Sequence, residues 1–134
     1  MTRNVLFVCV GNAGRSQMAE AIFNKLKRSE FQAVSAGTKP AREVNPLVIE
    51  ALSEIGIDAS KNRPKPISPQ MIADAEKIIT MGCEAGEFCP ARFLPKVEDW
   101  KIEDPMSKSL DGIRLIRDAI HERVERLLEE LQST

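Results

Sequence analysis

The chain has no tyrosine, one tryptophan and one histidine among its 134 residues. So few aromatics leave little with which to grip a phenyl ring by stacking. Charge of either sign is not in surplus: 19 basic and 20 acidic side chains give a net charge of -1, and no overall field points to nucleic acid or an anionic membrane. No apolar run approaches the ~20 residues that cross a bilayer, and no targeting pattern is visible, so the expectation is a cytoplasmic protein without a membrane partner. Cysteine is scarce and odd in number, three in all, which argues against a disulfide framework and for thiols kept reduced until chemistry uses them. The length fits one domain over residues 1–134.

What is present concentrates first in one segment. An apolar run, Val5 to Val8, ends at Cys9 and opens Cys9-Val10-Gly11-Asn12-Ala13-Gly14-Arg15-Ser16, which passes into an apolar-periodic helix near Gln17. The order is strand, glycine-containing loop, helix. Such a loop turns consecutive backbone N–H groups inward, and the helix aims its positive end at the same point, so Val10 to Arg15 are expected to bind a tetrahedral oxyanion. The same field favours a nucleophilic thiolate at Cys9. Arg15 supplies a planar fork for two oxygens of a phosphate-like group. Ser16 is placed to donate its hydroxyl proton to the thiolate, and Asn12 to bridge backbone groups and hold the loop's shape. The bland alternative for Cys9 is a small buried hydrophobe at a strand end.

Along the rest of the chain, strands and helices alternate. A first helix spans about Gln17 to Arg28 with Met18, Ala19, Ile22, Phe23 and Leu26 on one face. A strand follows at about Phe31 to Ala36, then a helix started by Asn45-Pro46 and stopped by Gly56. Residues Lys61 to Pro69 form a long irregular loop, and Ser68-Pro69 caps a short helix to Ala75. Strands are expected at Lys77 to Met81 and Val97 to Ile102, and a last helix from Leu110 to Leu131. The pattern predicts an α/β fold, a four-stranded parallel sheet with helices on both faces, whose site lies beyond the carboxyl ends of the strands.

A thiolate attacking an oxyanion needs an acid to protonate the departing oxygen. Asp104, in Glu103-Asp104-Pro105 after the fourth strand, is the candidate, with Asp99 and Glu103 as alternatives and an ordinary Asp-Pro turn as the bland one. Cys83 and Cys89 follow the third strand. Zinc needs four ligands at tight spacing, and His121 is far off on the last helix, so no metal is expected; His121 reads as a solvent-edge residue. A redox pair fits better than a metal site, with buried core cysteines the remaining alternative. If the connection were helical, the two Cα atoms would stand about 9 Å apart, beyond the roughly 7 Å limit of a disulfide, so bond formation would remodel a segment whose Gly82 and Gly86 make it flexible.

Cys9 to Ser16 together with Asp104-Pro105 resembles the low-molecular-weight tyrosine phosphatase family, and Cys83 with Cys89-Pro90 resembles its thioredoxin-coupled arsenate reductase branch. Arg15-Ser16-Gln17-Met18-Ala19-Glu20, Ser35-Ala36-Gly37 and Asp99-Trp100 are also similar to that branch. The resemblance implies a three-layer fold, no cofactor, and a relay. Cys9 attacks arsenate held by the loop and Arg15, Asp104 protonates the departing oxygen, Cys83 attacks Cys9 and releases arsenite, and Cys89 attacks Cys83. Thioredoxin or a similar dithiol would then reduce the Cys83–Cys89 disulfide. Some relatives hold a monovalent cation near Asn12, Glu20 and Ser35 with a further acidic side chain from the loop after the second helix; there this chain offers Lys65 or its basic neighbours, so no potassium site is expected and the Lys65 ammonium is expected in the cation's place. The alternatives are a tyrosine phosphatase, against which Met106 stands where such enzymes commonly carry an aromatic, and a non-catalytic oxyanion or redox sensor.

Overall fold

Val5, Leu6, Phe7 and Val8 are completely buried because their strand lies inside a sheet and has both faces covered. In the computed structural model, which describes residues 3–27, 30–105 and 108–132, strand β1 (Arg3–Cys9) pairs in parallel with β2 (Phe31–Gly37) on one side and β3 (Ala75–Thr80) on the other. A short β4 (Val97–Asp99) completes the order β2-β1-β3-β4. Alternation along β1 divides the interior in two. Val5, Phe7 and Cys9 face α1 (Arg15–Leu26), α2 (Pro46–Ser53) and the long α4 (Leu110–Gln132), where Ile113, Ile116, Ile120, Val124 and Leu127 form one buried stripe. Leu6 and Val8 face α3 (Pro69–Asp74) and the segment after β3. Each fully buried side chain of this kind contributes about 2 kcal/mol.

Several boundaries differ from expectation, and the differences matter for the site. Helix α1 begins at Arg15, two residues before Gln17, with Gly14 at its cap. The fourth strand stops at Asp99 rather than Ile102. Trp100 N–H still donates to Thr80 O at 2.8 Å, but Ile102 N–H closes back on Trp100 O at 2.8 Å, a three-residue turn that carries the chain out of the sheet and over the mouth of the first loop. Between β3 and β4 run two 3-10 turns, Ala85–Glu87 and Ala91–Lys96. Among the described residues no helix is long and apolar enough to cross a membrane.

Candidate active site

The first intrahelical bond of α1 runs from Met18 N–H to Gly14 O at 2.9 Å, so the N–H groups of Arg15, Ser16 and Gln17 have no partner within the helix and remain for an anion. The loop's carbonyls are turned the other way. Those of Cys9, Val10, Gly11 and Ala13 accept from the N–H groups of Thr38, Lys39, Ala41 and Asn45 at 3.2, 2.9, 2.9 and 3.0 Å. The β2–α2 connection therefore straps the loop from outside, an element that the sequence reading missed. Gly37 permits the approach, since a Cβ there would lie 2.6 Å from Val10 O.

Asn12 holds the loop from within. It is fully buried and has a left-handed backbone at φ 51°, a conformation that asparagine tolerates better than most residues. Its side-chain orientation follows from a fixed donor. The backbone N–H of Lys65 donates to Asn12 Oδ1 at 2.9 Å, so Nδ2 faces the other way and donates to Ser16 Oγ at 2.7 Å and Ser35 Oγ at 3.0 Å. Having accepted from Asn12, Ser16 directs its own hydroxyl proton to Cys9 Sγ, 2.8 Å away. Asn12 N–H adds a second donor to the sulfur at 3.2 Å. Ser35 Oγ donates to Glu20 Oε1 at 2.9 Å. Burial raises the Glu20 carboxyl above its ordinary range, opposed by Lys65 and Ser35; the Lys65 ammonium is 3.8 Å from it.

Arg15, buried in the wall, donates to Ile102 O at 3.1 Å and stands 3.6 Å from Asp104 Oδ2. Gly82 takes up its other side. A Cβ on Gly82 would fall on the Arg15 guanidinium, and the backbone there is left-handed at φ 83°. The missing side chain of this glycine makes room for Arg15. Gly86 has nothing within 4 Å of a would-be Cβ. Of the three candidate acids, Asp104 alone lines the cleft with Cys9, Arg15, Gly14 and Pro105, a cavity of about 690 Å³. Asp99 accepts from Thr80 Oγ1 at 2.8 Å and Glu103 pairs with Lys108 at 2.8 Å; both line a separate cleft with Cys83. The described lining of the Cys9 cleft contains no aromatic side chain. Met106 lies outside the described residues.

All three cysteines are free. Cys9, 3% exposed, forms the floor of its cleft. Cys83 lies on the far side of Gly82, its thiol 3.7 Å from Val8 O, against the peptide that leads into Cys9. Burial pushes this thiol up to about 11, and negative charge on Cys9 adds to the shift. Cys89 is 7% exposed and belongs to the second core beside Phe88 and Phe93. Burial raises it too, opposed by Lys96. The structure thus brings Cys9 and Cys83 to one strand end and keeps Cys89 packed beneath the segment, whose Cys89 N–H closes on Ala85 O at 2.8 Å. His121 Nδ1 lies 3.2 Å from Glu125 Oε1 on the outer side of α4, away from the cleft.

Over residues 4–134 the sequence matches the low molecular weight phosphotyrosine protein phosphatase family. The chain belongs to this family. Within the family, it is 35% identical to arsenate reductase 2 of Staphylococcus epidermidis over 126 residues, 92% of this chain and 94% of that protein. It is 34% identical to the glutaredoxin arsenate reductase of Synechocystis over 131 residues, 96% of this chain and 98% of that protein. The thioredoxin-dependent arsenate reductase of Corynebacterium glutamicum superposes with a TM-score of 0.81 at 38% identity, covering 98% of this chain and 62% of that one.

Proposed function

We propose that this chain reduces arsenate to arsenite, with Cys9, Cys83 and Cys89 as a thiol relay and thioredoxin or a similar dithiol as the reductant. The observation that carries the reading is the Cys83 thiol set against the peptide leading into Cys9, one residue beyond the glycine that packs on Arg15. A hydrolase using Cys9 and Asp104 has no use for a second thiol there. Arsenate reductases among the relatives support the same reading.

In this scheme arsenate occupies the inward N–H groups of the loop other than that of Asn12, together with the Arg15 fork, and the Cys9 thiolate, stabilised by Ser16 and Asn12, forms a bond to arsenic. Asp104 gives its proton to the oxygen that leaves. Cys83 then attacks Cys9 Sγ; a Cys9–Cys83 disulfide forms, the electron pair of the S–As bond stays on arsenic, and arsenite departs. Cys89 attacks Cys83 Sγ, which frees Cys9 and leaves a Cys83–Cys89 disulfide for the dithiol. Because Cys89 is buried in the reduced form, the last exchange requires the segment after β3 to repack.

The test is NADPH consumption with arsenate, thioredoxin and thioredoxin reductase. Multiple turnover that vanishes in Cys83→Ser and Cys89→Ser, while hydrolysis of an aryl phosphate persists, is the expected result. Turnover untouched by both changes overturns the relay. The alternative of a phosphatase acting on phosphotyrosine draws on the family, but the absence of aromatics in the described cleft lining gives a phenyl ring nothing to stack on.

A further inference from the structure

Gln17 is completely buried, yet only one end of its carboxamide is used. Nε2 donates to Asn12 Oδ1 and to Arg63 O, each at 3.1 Å, while Oε1 is buried without a hydrogen-bond partner. Turning the amide over would not cure this, because Oε1 would then face two acceptors. A buried carbonyl left unpaired is a standing cost to stability, so what holds a glutamine here is its donor end. Those donors complete Asn12. Its Oδ1 accepts from Lys65 N–H at 2.9 Å and from Gln17, which fills both lone pairs, and its Nδ2 gives both hydrogens to Ser16 and Ser35.

Two backbone groups that cannot change role set the direction of this whole chain of bonds. The Arg63 carbonyl only accepts, which orients Gln17, and the Lys65 N–H only donates, which orients Asn12. The Ser16 hydroxyl can rotate, so it follows, and its proton points at Cys9 Sγ, 2.8 Å away. Gln17 acts on Asn12 in two ways. It donates directly, and its bond to Arg63 tethers one side of the backbone that delivers the Lys65 N–H, whose other side is held by Gly37 N–H on Lys65 O at 2.8 Å. We propose that Gln17 is a positioning residue for the Cys9 thiolate: its carboxamide locks the Asn12 amide, and through it the Ser16 hydroxyl, in the orientation that donates to the sulfur. A donor to the charged form favours that form, so loss of the lock leaves less thiolate at neutral pH. The inference rests on Cys9 as the nucleophile of the proposed function and is independent of Cys83 and Cys89.

The experiment uses Gln17→Met, close in length and volume but without the amide's donors and acceptor. Alkylation of Cys9 by iodoacetamide is followed by peptide mass in a Cys83→Ser, Cys89→Ser background. At pH 7 the rate should fall about fivefold, and at high pH, where the thiol is fully ionised, it should be unchanged. The denaturant midpoint should barely move, since the unpaired Oε1 is removed together with the donors. A purely structural role gives the reverse, a lower midpoint with the alkylation profile intact, and overturns the proposal. Adding Ser16→Ala tests the route. With the hydroxyl gone, Gln17→Met should slow alkylation no further, whereas a second and additive loss means that the effect does not run through Ser16 and overturns the proposal too. If Gln17→Met fails to fold, Gln17→Glu goes through the same comparisons: its ionised carboxylate sets only acceptors against Asn12 Oδ1 and Arg63 O, and the same slowing, abolished by Ser16→Ala, is required. Alkylation needs no arsenate, so arsenate turnover by the unaltered protein, measured alongside, shows separately whether the proposed reaction stands.

Discussion

Two stretches of chain leave the carboxyl ends of neighbouring strands, and they are built in opposite ways. The loop after β1 is tied to distant sequence, to residues 38–45 through its carbonyls and to Lys65 and Ser35 through Asn12. After β3, the N–H groups of Glu87, Phe88, Cys89 and Phe93 close on Glu84, Ala85, Ala85 and Pro90, all within the segment itself. A loop braced by long-range bonds opens only with the structure around it, whereas a segment braced locally can repack at smaller cost. In the proposed relay, binding an anion asks for the first, and passing oxidation from Cys83 to Cys89 asks for the second. Gly82 is where the two meet.

The largest effect expected from this contrast comes from Asn12→Ala. It strips buried donors and acceptors of their partners at several points of the loop and should lower stability by about 3 kcal/mol. Cys89→Ala, at a buried position of the local segment, should cost about 1 kcal/mol. Equal losses in denaturant melts would break the comparison. Next in size is Gly82→Asn, set beside Gly82→Ala. Asparagine accepts the left-handed backbone, so inhibition by inorganic phosphate would survive in Gly82→Asn if the turn were all that mattered. Because either Cβ meets Arg15, both variants are expected to bind phosphate about a hundredfold more weakly.

A smaller effect sharpens the coupling between the two sulfurs. Alkylation of Cys83 should rise with pH toward a midpoint near 11, and in Cys9→Ser the midpoint should fall, because one source of negative charge is gone. The folded state holds the Cys83 proton more tightly than an ordinary thiol of 9.0 would. Its contribution to stability is therefore complete below pH 9.0 and lost as pH rises toward about 11. Smallest is Lys65→Ala. Removing the ammonium beside the half-buried Glu20 should cost about 1 kcal/mol and make stability responsive to potassium; an unchanged melt with and without potassium would discard the idea that Lys65 takes the cation's place.

Much of this was legible beforehand. The apolar run into Cys9, the glycines around Asn12, the spacing to Arg15 and the stripe of α4 each follow from side-chain type and period, which sequence displays directly. Asp104 was named on its position after a strand, although that strand ends sooner than its residues suggest. The strap of residues 38–45 left no trace, since it works through backbone N–H groups that nearly every residue has. The Arg15–Gly82 contact was hidden for a related reason: a missing side chain signals room, but not for whom.

The sequence by itself determined the chemistry on offer, three thiols, a guanidinium and a carboxyl, because reactivity belongs to residue type and local context. Only the tertiary structure decided which of them share a cleft, that Asp104 rather than Asp99 or Glu103 lines the cleft of Cys9, and that Cys89 begins buried. Those outcomes depend on contacts between residues dozens of positions apart, and such contacts are fixed by packing of the whole sheet and not by any stretch of it.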